Sequence, residues 1–119
     1  MALPKKFRLK KDKDIKNVFL KGRTVKGSLL FIKFLKNSEL QGRVAVLISK
    51  KISNKAVVRN LIRRRIYASF EQNNYFKKII LIGGRLDVII IVLPVIVGKA
   101  FKEIKADFDQ IIKKLSVQV

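Results

Sequence analysis

Seven cations crowd the stretch from Ser49 to Arg65: Lys50, Lys51, Lys55, Arg59, Arg63, Arg64 and Arg65. Glu71 is the only acid between Asn54 and Arg85. Guanidinium and ammonium groups set this close, with no interleaved carboxylate, suit the binding of successive phosphates. Bond-breaking chemistry is much harder to find. The chain has no His and no Cys, which removes the commonest general base, thiol nucleophiles and thiolate metal sites. The only close carboxylate pairs are Asp12/Asp14 and Asp107/Asp109. The first pair stands at a helix start, where Asp is favoured by capping and by the helix dipole. The second lies on a helix, where side chains two apart diverge. Both pairs are read as structural. Gly83-Gly84 lacks the spacing of a phosphate loop.

The elements that must hold these cations follow from hydrophobic periodicity. Residues 55–70 are predicted to be a helix, with Val58, Ile62, Ile66 and Ser69 on one stripe. Lys55, Arg59, Asn60, Arg63 and Arg64 fill the other side. Lys55–Arg59 and Arg59–Arg63 are like-charge pairs four apart, each costing a few tenths of a kcal/mol in an isolated helix. A solvated face chosen for stability would mix in Glu, so the one-sided sign points to phosphate contacts.

Upstream, Asp12 is expected to cap a short helix over 13–21, with Ile15, Val18 and Phe19 at helical spacing and Gly22 as its stop. Leu29–Lys36 and Arg43–Ser49 read as the two strands of a hairpin joined by a turn over 37–42. Alternation sends Leu30, Ile32, Phe34, Val44, Val46 and Ile48 to the core. Phe31, Lys33, Arg43 and Ser49 fall on the opposite face. There Phe31 is either a stacking platform for single-stranded nucleic acid, among cations, or a residue covered by the first helix. Ile79–Ile82 suggests a short strand or a helical remnant. Asp87–Leu93 is a continuous β-branched run, expected of a strand buried on both faces and ended by Pro94. From Lys99 an amphipathic helix carries Phe101, Ile104, Phe108, Ile111, Ile112 and Leu115 on the face that covers the sheet.

Composition supports a folded polyanion binder. The chain has 119 residues, enough for one domain with one core over 1–119, and residues 1–11 form a basic arm. Lys and Arg number 28 against 8 Asp and Glu, a formal net charge of +20. Small domains usually carry roughly 2–8 charges in magnitude, and a surplus this large repels itself unless a polyanion neutralises it. The longest apolar run, Val88–Val97, is half of the ~20 residues that a membrane helix needs. No signal peptide is visible, and a cytoplasmic location is expected.

The run Ser49-Lys50-Lys51, leading into the helix that bears Arg59-Asn60-Leu61 and Arg63-Arg64-Arg65, closely resembles the signature of the bacterial ribonuclease P protein subunit. The opening Leu3-Pro4-Lys5-Lys6-Phe7-Arg8-Leu9 is similar to that family's basic start. Asp14-Ile15-Lys16-Asn17-Val18-Phe19 with Gly22 is similar to its first helix, and Asp87-Val88-Ile89-Ile90-Ile91 to its late strand. The chain departs from the pattern at Leu61, where the motif has Arg, and at Tyr67 and Leu93, where the family often has a basic residue. Ala45 stands in place of a usual Gly and Ile15 in place of a cleft aromatic.

The resemblance implies an α+β fold, an α-β-β-β-α-β-α sandwich with a left-handed β-α-β crossover. It implies a protein that does not cut RNA itself but joins a large catalytic RNA to remove the 5′ leader of precursor tRNA. By that resemblance, Lys50, Lys51, Lys55, Arg59, Asn60, Arg63 and Arg64 would grip the catalytic RNA, and Phe19, Phe31 and Lys33 would line the leader cleft. Mg²⁺ would belong to the RNA; no protein-bound cofactor, no membrane and no small-molecule substrate are expected. Two other classes share the composition. One is a small ribosomal or ribosome-assembly RNA-binding protein. The other is a nucleoid-type DNA binder, for which no helix-turn-helix spacing is present.

Overall fold

The structure is a computed structural model that describes residues 8–37, 42–72 and 85–118. Helix α1 runs from Asp12 to Lys21, followed by strands β1 (Arg23–Lys26), β2 (Leu30–Lys36) and β3 (Arg43–Leu47). Helix α2 (Ala56–Gln72), strand β4 (Leu86–Val92), a 3₁₀ turn at Pro94–Ile96 and helix α3 (Phe101–Gln118) complete the chain. The element order is the α-β-β-β-α-β-α expected from the resemblance. Most of the N-terminal arm, the tip of the turn at 38–41 and the segment holding Ile79–Ile82 and Gly83-Gly84 lie outside the described residues.

Helix α1 begins one residue earlier than expected, at Asp12 itself. Lys11 occupies the N-cap and makes no side-chain capping bond. Asp12 is instead inside the first turn with Asp14, where both carboxylates face the positive end of the helix dipole, and Lys21 lies at the negative end. Gly22 ends the helix by donating its N–H to the Val18 carbonyl at 2.8 Å. It must be glycine because of close approach: a Cβ there would collide with the Val18 carbonyl oxygen and sit 2.8 Å from that of Phe34.

The sheet order is β1-β2-β4-β3. This corrects the expected hairpin of β2 with β3: β4 lies between them, antiparallel to β2 and parallel to β3. The physical reason is the apolar run of β4, buried at every position except the half-buried Ile91, which needs a strand on each side and cover on both faces. The real hairpin joins β2 to β1, with Val25 opposite Ile32. Strand β1 shows only Val25 to the core and carries charge at both ends, as suits a sheet edge.

Helices α2 and α3 cover one face. Ile62, Ile66 and Phe70 of α2 and Ile104, Phe108, Ile111 and Leu115 of α3 pack on Leu30, Ile32, Phe34, Val44, Val46, Val88 and Ile90. The rings of Phe70 and Phe108 meet edge to face, 6.2 Å apart. The other face carries a smaller cluster in which Leu9 and Val18 cover Ala45 and Ile89.

Asp107 fixes α3 to the β1–β2 turn. Its carboxylate, 5 % exposed, accepts the backbone N–H groups of Ser28 (2.7 Å), Leu29 (2.9 Å) and Leu30 (3.1 Å). Gly27 completes this cradle, since a Cβ there would lie 2.5 Å from Asp107 Oδ2. Asp109, two residues on, makes a half-exposed ion pair with Lys105 at 3.0 Å. Asp107→Ala should therefore lower stability in urea unfolding by about 2–4 kcal/mol, each buried N–H left without an acceptor costing about 1–3. Asp109→Ala should stay within about 0.5 kcal/mol of the parent. Equal losses would remove Asp107 from this role.

Candidate nucleic-acid interface

The cationic stretch is folded as strand end, turn and helix. Ile52 donates its N–H to the Ser49 carbonyl at 3.0 Å, closing a turn that presents Lys50 and Lys51 to solvent. Ser53 then organises the start of α2. Its Oγ accepts the Lys55 N–H at 3.1 Å, and its carbonyl accepts Arg59 Nη1 at 2.8 Å. The Lys55 carbonyl accepts the N–H groups of Val58 and Arg59, so Lys55 stands just ahead of the helix rather than within it. Arg59 is thereby pinned back over the turn and half-buried.

One turn later, Asn60 Oδ1 accepts Arg63 Nη1 at 3.0 Å. Asn60 thus orients a guanidinium, a role that composition alone does not reveal. Arg64 and Arg65 are exposed, and so are Val57 and Leu61 beside them. Ile62, Ile66 and Ser69 face inward as the stripe predicts, with Val58 half-buried. Among the described residues, no salt bridge neutralises any of the seven cations between Lys50 and Arg65. Lys50, Lys51, Lys55, Arg64 and Arg65 are exposed and Arg59 and Arg63 half-buried, a concentration of positive charge that suits a phosphate chain.

A second surface lies on the sheet face that α1 packs against. Phe19, 41 % exposed near the end of α1, has Lys33 Nζ 5.7 Å from its ring centroid. Lys33 is a β2 residue facing Thr24 and Ile89 on the neighbouring strands. Phe31, on the same side of β2, is half-buried between Lys26 of β1 and Ile91 of β4. The fold therefore brings Phe19 and Lys33 into contact and sets Phe31 two residues away on the same face. An aromatic ring with an ammonium over it is a surface on which a base can stack while its phosphate meets the charge.

Arg43, expected among the exposed groups of this face, is instead consumed by the fold. Its Nε and Nη2 make a fork onto Asp87 at 2.9 and 2.8 Å, and its Nη1 reaches Asp14 at 3.2 Å. Asn37 Nδ2 also donates to Asp87 at 2.6 Å. Ser49 is exposed, as expected.

Arg8 and Tyr67 complete the charged geometry. Arg8 forms a parallel bridge with Val44 at the free edge of β3, and the Leu9 N–H donates to the Val44 carbonyl at 2.9 Å. Burial pushes the Tyr67 hydroxyl above its ordinary range, while the charges of Arg8 and Arg63 pull it back part of the way. Among the described residues, no three His, Cys, Asp or Glu side chains gather as a metal site. No helix among them is long and apolar enough to cross a membrane.

Comparison with known proteins places this geometry. The family model for Ribonuclease P matches residues 3–116. The ribonuclease P protein component of Synechocystis is 32 % identical over 118 residues, covering 98 % of this chain and 91 % of that relative. That of Picosynechococcus is 44 % identical over 66 residues, 56 % of this chain and 57 % of that relative. The solved RNase P protein of Staphylococcus aureus superposes with a TM-score of 0.76 at 25 % identity, covering 91 % of this chain and 94 % of that one.

The two surfaces differ from the core in what truncation should cost. Phe34, 6 % exposed, belongs to the main core, and Phe34→Ala should lose about 3–5 kcal/mol in thermal or urea melts. Phe19→Ala should lose less than about 1 kcal/mol, and Phe31→Ala an intermediate amount, with both variants folded. A Phe31→Ala variant as damaged as Phe34→Ala would make Phe31 a packing residue.

Proposed function

The chain belongs to the ribonuclease P protein family, and from that premise we propose that it binds the catalytic RNA of ribonuclease P through α2 and the 5′ leader of precursor tRNA through the α1 face of its sheet. Family membership makes it the protein part of an endoribonuclease assembly that processes tRNA. The observation that carries the finer reading is the run of cations from Lys50 to Arg65, without a salt bridge among the described residues, on an exposed strand end, turn and helix.

In this reading Lys50, Lys51, Lys55, Arg59, Arg63 and Arg64 neutralise phosphates of the catalytic RNA, and Asn60 holds Arg63 in place. Arg59, tied to the Ser53 carbonyl, offers its remaining guanidinium donors in a fixed direction. Phe19 and Phe31 give single-stranded leader bases a surface to stack on. Lys33 meets the passing phosphates without reading sequence. The 1–119 chain acts as one RNA-binding domain in the cytoplasm. Mg²⁺ enters as the cofactor of the RNA, which carries the chemistry, and the protein supplies affinity and position.

Reconstitution tests this reading. The full chain, added to a bacterial ribonuclease P RNA at low Mg²⁺, should restore removal of the leader from precursor tRNA, while the protein alone should cleave nothing. In the reconstituted enzyme, Phe31→Ala and Lys33→Ala should weaken binding of precursor tRNA with a leader of several nucleotides. Truncating a stacking aromatic is worth about 1–3 kcal/mol. Affinity for mature tRNA should hardly change. Failure of the protein to stimulate cleavage, with tight binding to ribosomal RNA instead, would make it a ribosomal or assembly protein. Equal losses for leader-bearing and mature tRNA would remove the sheet face from leader binding.

A further inference from the structure

We propose that Val57 and Leu61 of α2 are RNA contacts of a different kind from the cations around them. They receive the apolar face of one nucleoside of the partner RNA, while Arg64 and Arg65 hold the phosphates on either side of it. The proposal rests on the functional reading above for the identity of that RNA, but the contact itself follows from helical spacing and exposure.

Successive residues of a helix turn by about 100°. Measured from the buried stripe of Ile62, Ile66 and Ser69, Arg59 and Arg63 lie on one flank of α2, and Leu61 and Val57 on the other. Val57 and Leu61 are four residues apart and so are neighbours on one face. Arg64 and Arg65 follow one turn later, and the same spacing sets them on opposite sides of the strip that the two apolar residues define. Ala68, half-buried, continues the strip with a small side chain. Val57 is 79 % exposed and Leu61 42 %, so neither is there to fill the core. A helix that meets only phosphates gains nothing from two apolar side chains held in water among its cations.

The size and the rim of the strip select its occupant. Two side chains offer far less area than the ~800 Å² per partner of a standard protein–protein interface. A second copy of the chain is opposed by charge. Each copy carries a net +20, and a two-fold contact through this strip would bring Arg64 and Arg65 of both copies together. A nucleoside fits the strip in size. Its sugar carbons and base face pack on methyl groups, and the phosphate at each end meets a guanidinium. The strip is continuous with the cationic surface, since Arg64 and Arg65 belong to both. Covering the methyl groups removes apolar surface from water, a contribution that salt does not screen. The cations thus supply the salt-dependent part of the affinity, and Val57 and Leu61 a salt-independent part.

Binding of the full chain to a bacterial ribonuclease P RNA, measured across a salt series, separates the two kinds of contact. Leu61→Ala should weaken binding about threefold to tenfold at every salt concentration, with the log–log slope unchanged. Val57→Ala should do the same to a smaller extent, and melting curves should show both variants folded. Arg64→Ala should instead flatten the slope by about one unit. Leu61→Arg should steepen the slope by about one unit and bind more weakly than the parent at the high-salt end. A second probe does not depend on which RNA is the partner. A short oligoribonucleotide should shift the NMR methyl resonances of Val57 and Leu61 together with the side-chain resonances of Arg64 and Arg65. Inorganic tripolyphosphate should shift the arginines and leave the methyl groups in place. If the ribonuclease P RNA does not bind at all, the functional reading fails while the oligoribonucleotide still decides the contact. Parent-like affinity in Leu61→Ala, methyl groups unmoved by the oligoribonucleotide, or a concentration-dependent dimer that Leu61→Ala abolishes would each overturn the proposal.

Discussion

The parallel pairing of β3 with β4 is the constraint on which the arrangement of both surfaces depends. A parallel pair cannot be joined by a tight turn and needs a crossover. Helix α2 is part of that crossover, and its apolar stripe of Ile62, Ile66 and Phe70 binds it to one face of the sheet. Its cations are then left facing away from the core. The start of the pair is fixed by Arg43 and Asp87, which are register partners and also form a two-bonded guanidinium–carboxylate contact. Asp14 extends that contact to α1, on the other side of the sheet. The two partly buried ion pairs of Arg43 therefore link the sheet to the helix beside the aromatic surface, while the strand pairing they secure sets the cationic helix on the opposite face.

Electrostatics explains why these surfaces remain open. With 28 cations and 8 carboxylates, most acids among the described residues serve the fold. Asp87 and Asp14 hold Arg43, Asp107 holds the β1–β2 turn, and Glu103 accepts the Ala100 N–H at the start of α3. Asp109 pairs with Lys105 on its own helix. None of them is placed against α2 between Lys55 and Arg65. Repulsion along that helix opposes folding by a modest amount, a few tenths of a kcal/mol for each like-charge pair four apart. The same repulsion becomes a driving force when a phosphate chain replaces the counterions.

Much of this was legible in the sequence, and the rest was not for identifiable reasons. Helices α2 and α3 were readable because their apolar stripes persist over several turns, and β4 because its apolar run is unbroken. Strand β1 was not, since Arg23, Thr24 and Lys26 leave only Val25 as an apolar signal. The pairing of β3 was misread because alternation fixes which face a residue takes but not which strand lies beside it. The roles of Asp107 and Arg43 were hidden for a related reason. Their partners lie 77–79 residues away for Asp107 and 29 and 44 for Arg43, so no local pattern announces them. Arg8 was visible only as one of several cations in a basic arm. Its distinct position depends on a single bridge to Val44. The aromatic surface was half legible: alternation put Phe31 and Lys33 together, whereas the approach of Phe19 to Lys33 needed the packing of α1 on the sheet.

The central claim is that the cations of α2 and its preceding turn, without a salt bridge among the described residues, are a phosphate-binding surface for the catalytic RNA. The most direct measurement is the dissociation constant of the full chain with a bacterial ribonuclease P RNA, taken at fixed Mg²⁺ over monovalent salt from about 50 to 200 mM. Six neutralised phosphates correspond to a log–log slope of about −5 and a loss of affinity of roughly a thousandfold over that range. Affinity that changes by less than about tenfold over that range would correspond to fewer than two phosphates and would contradict the account.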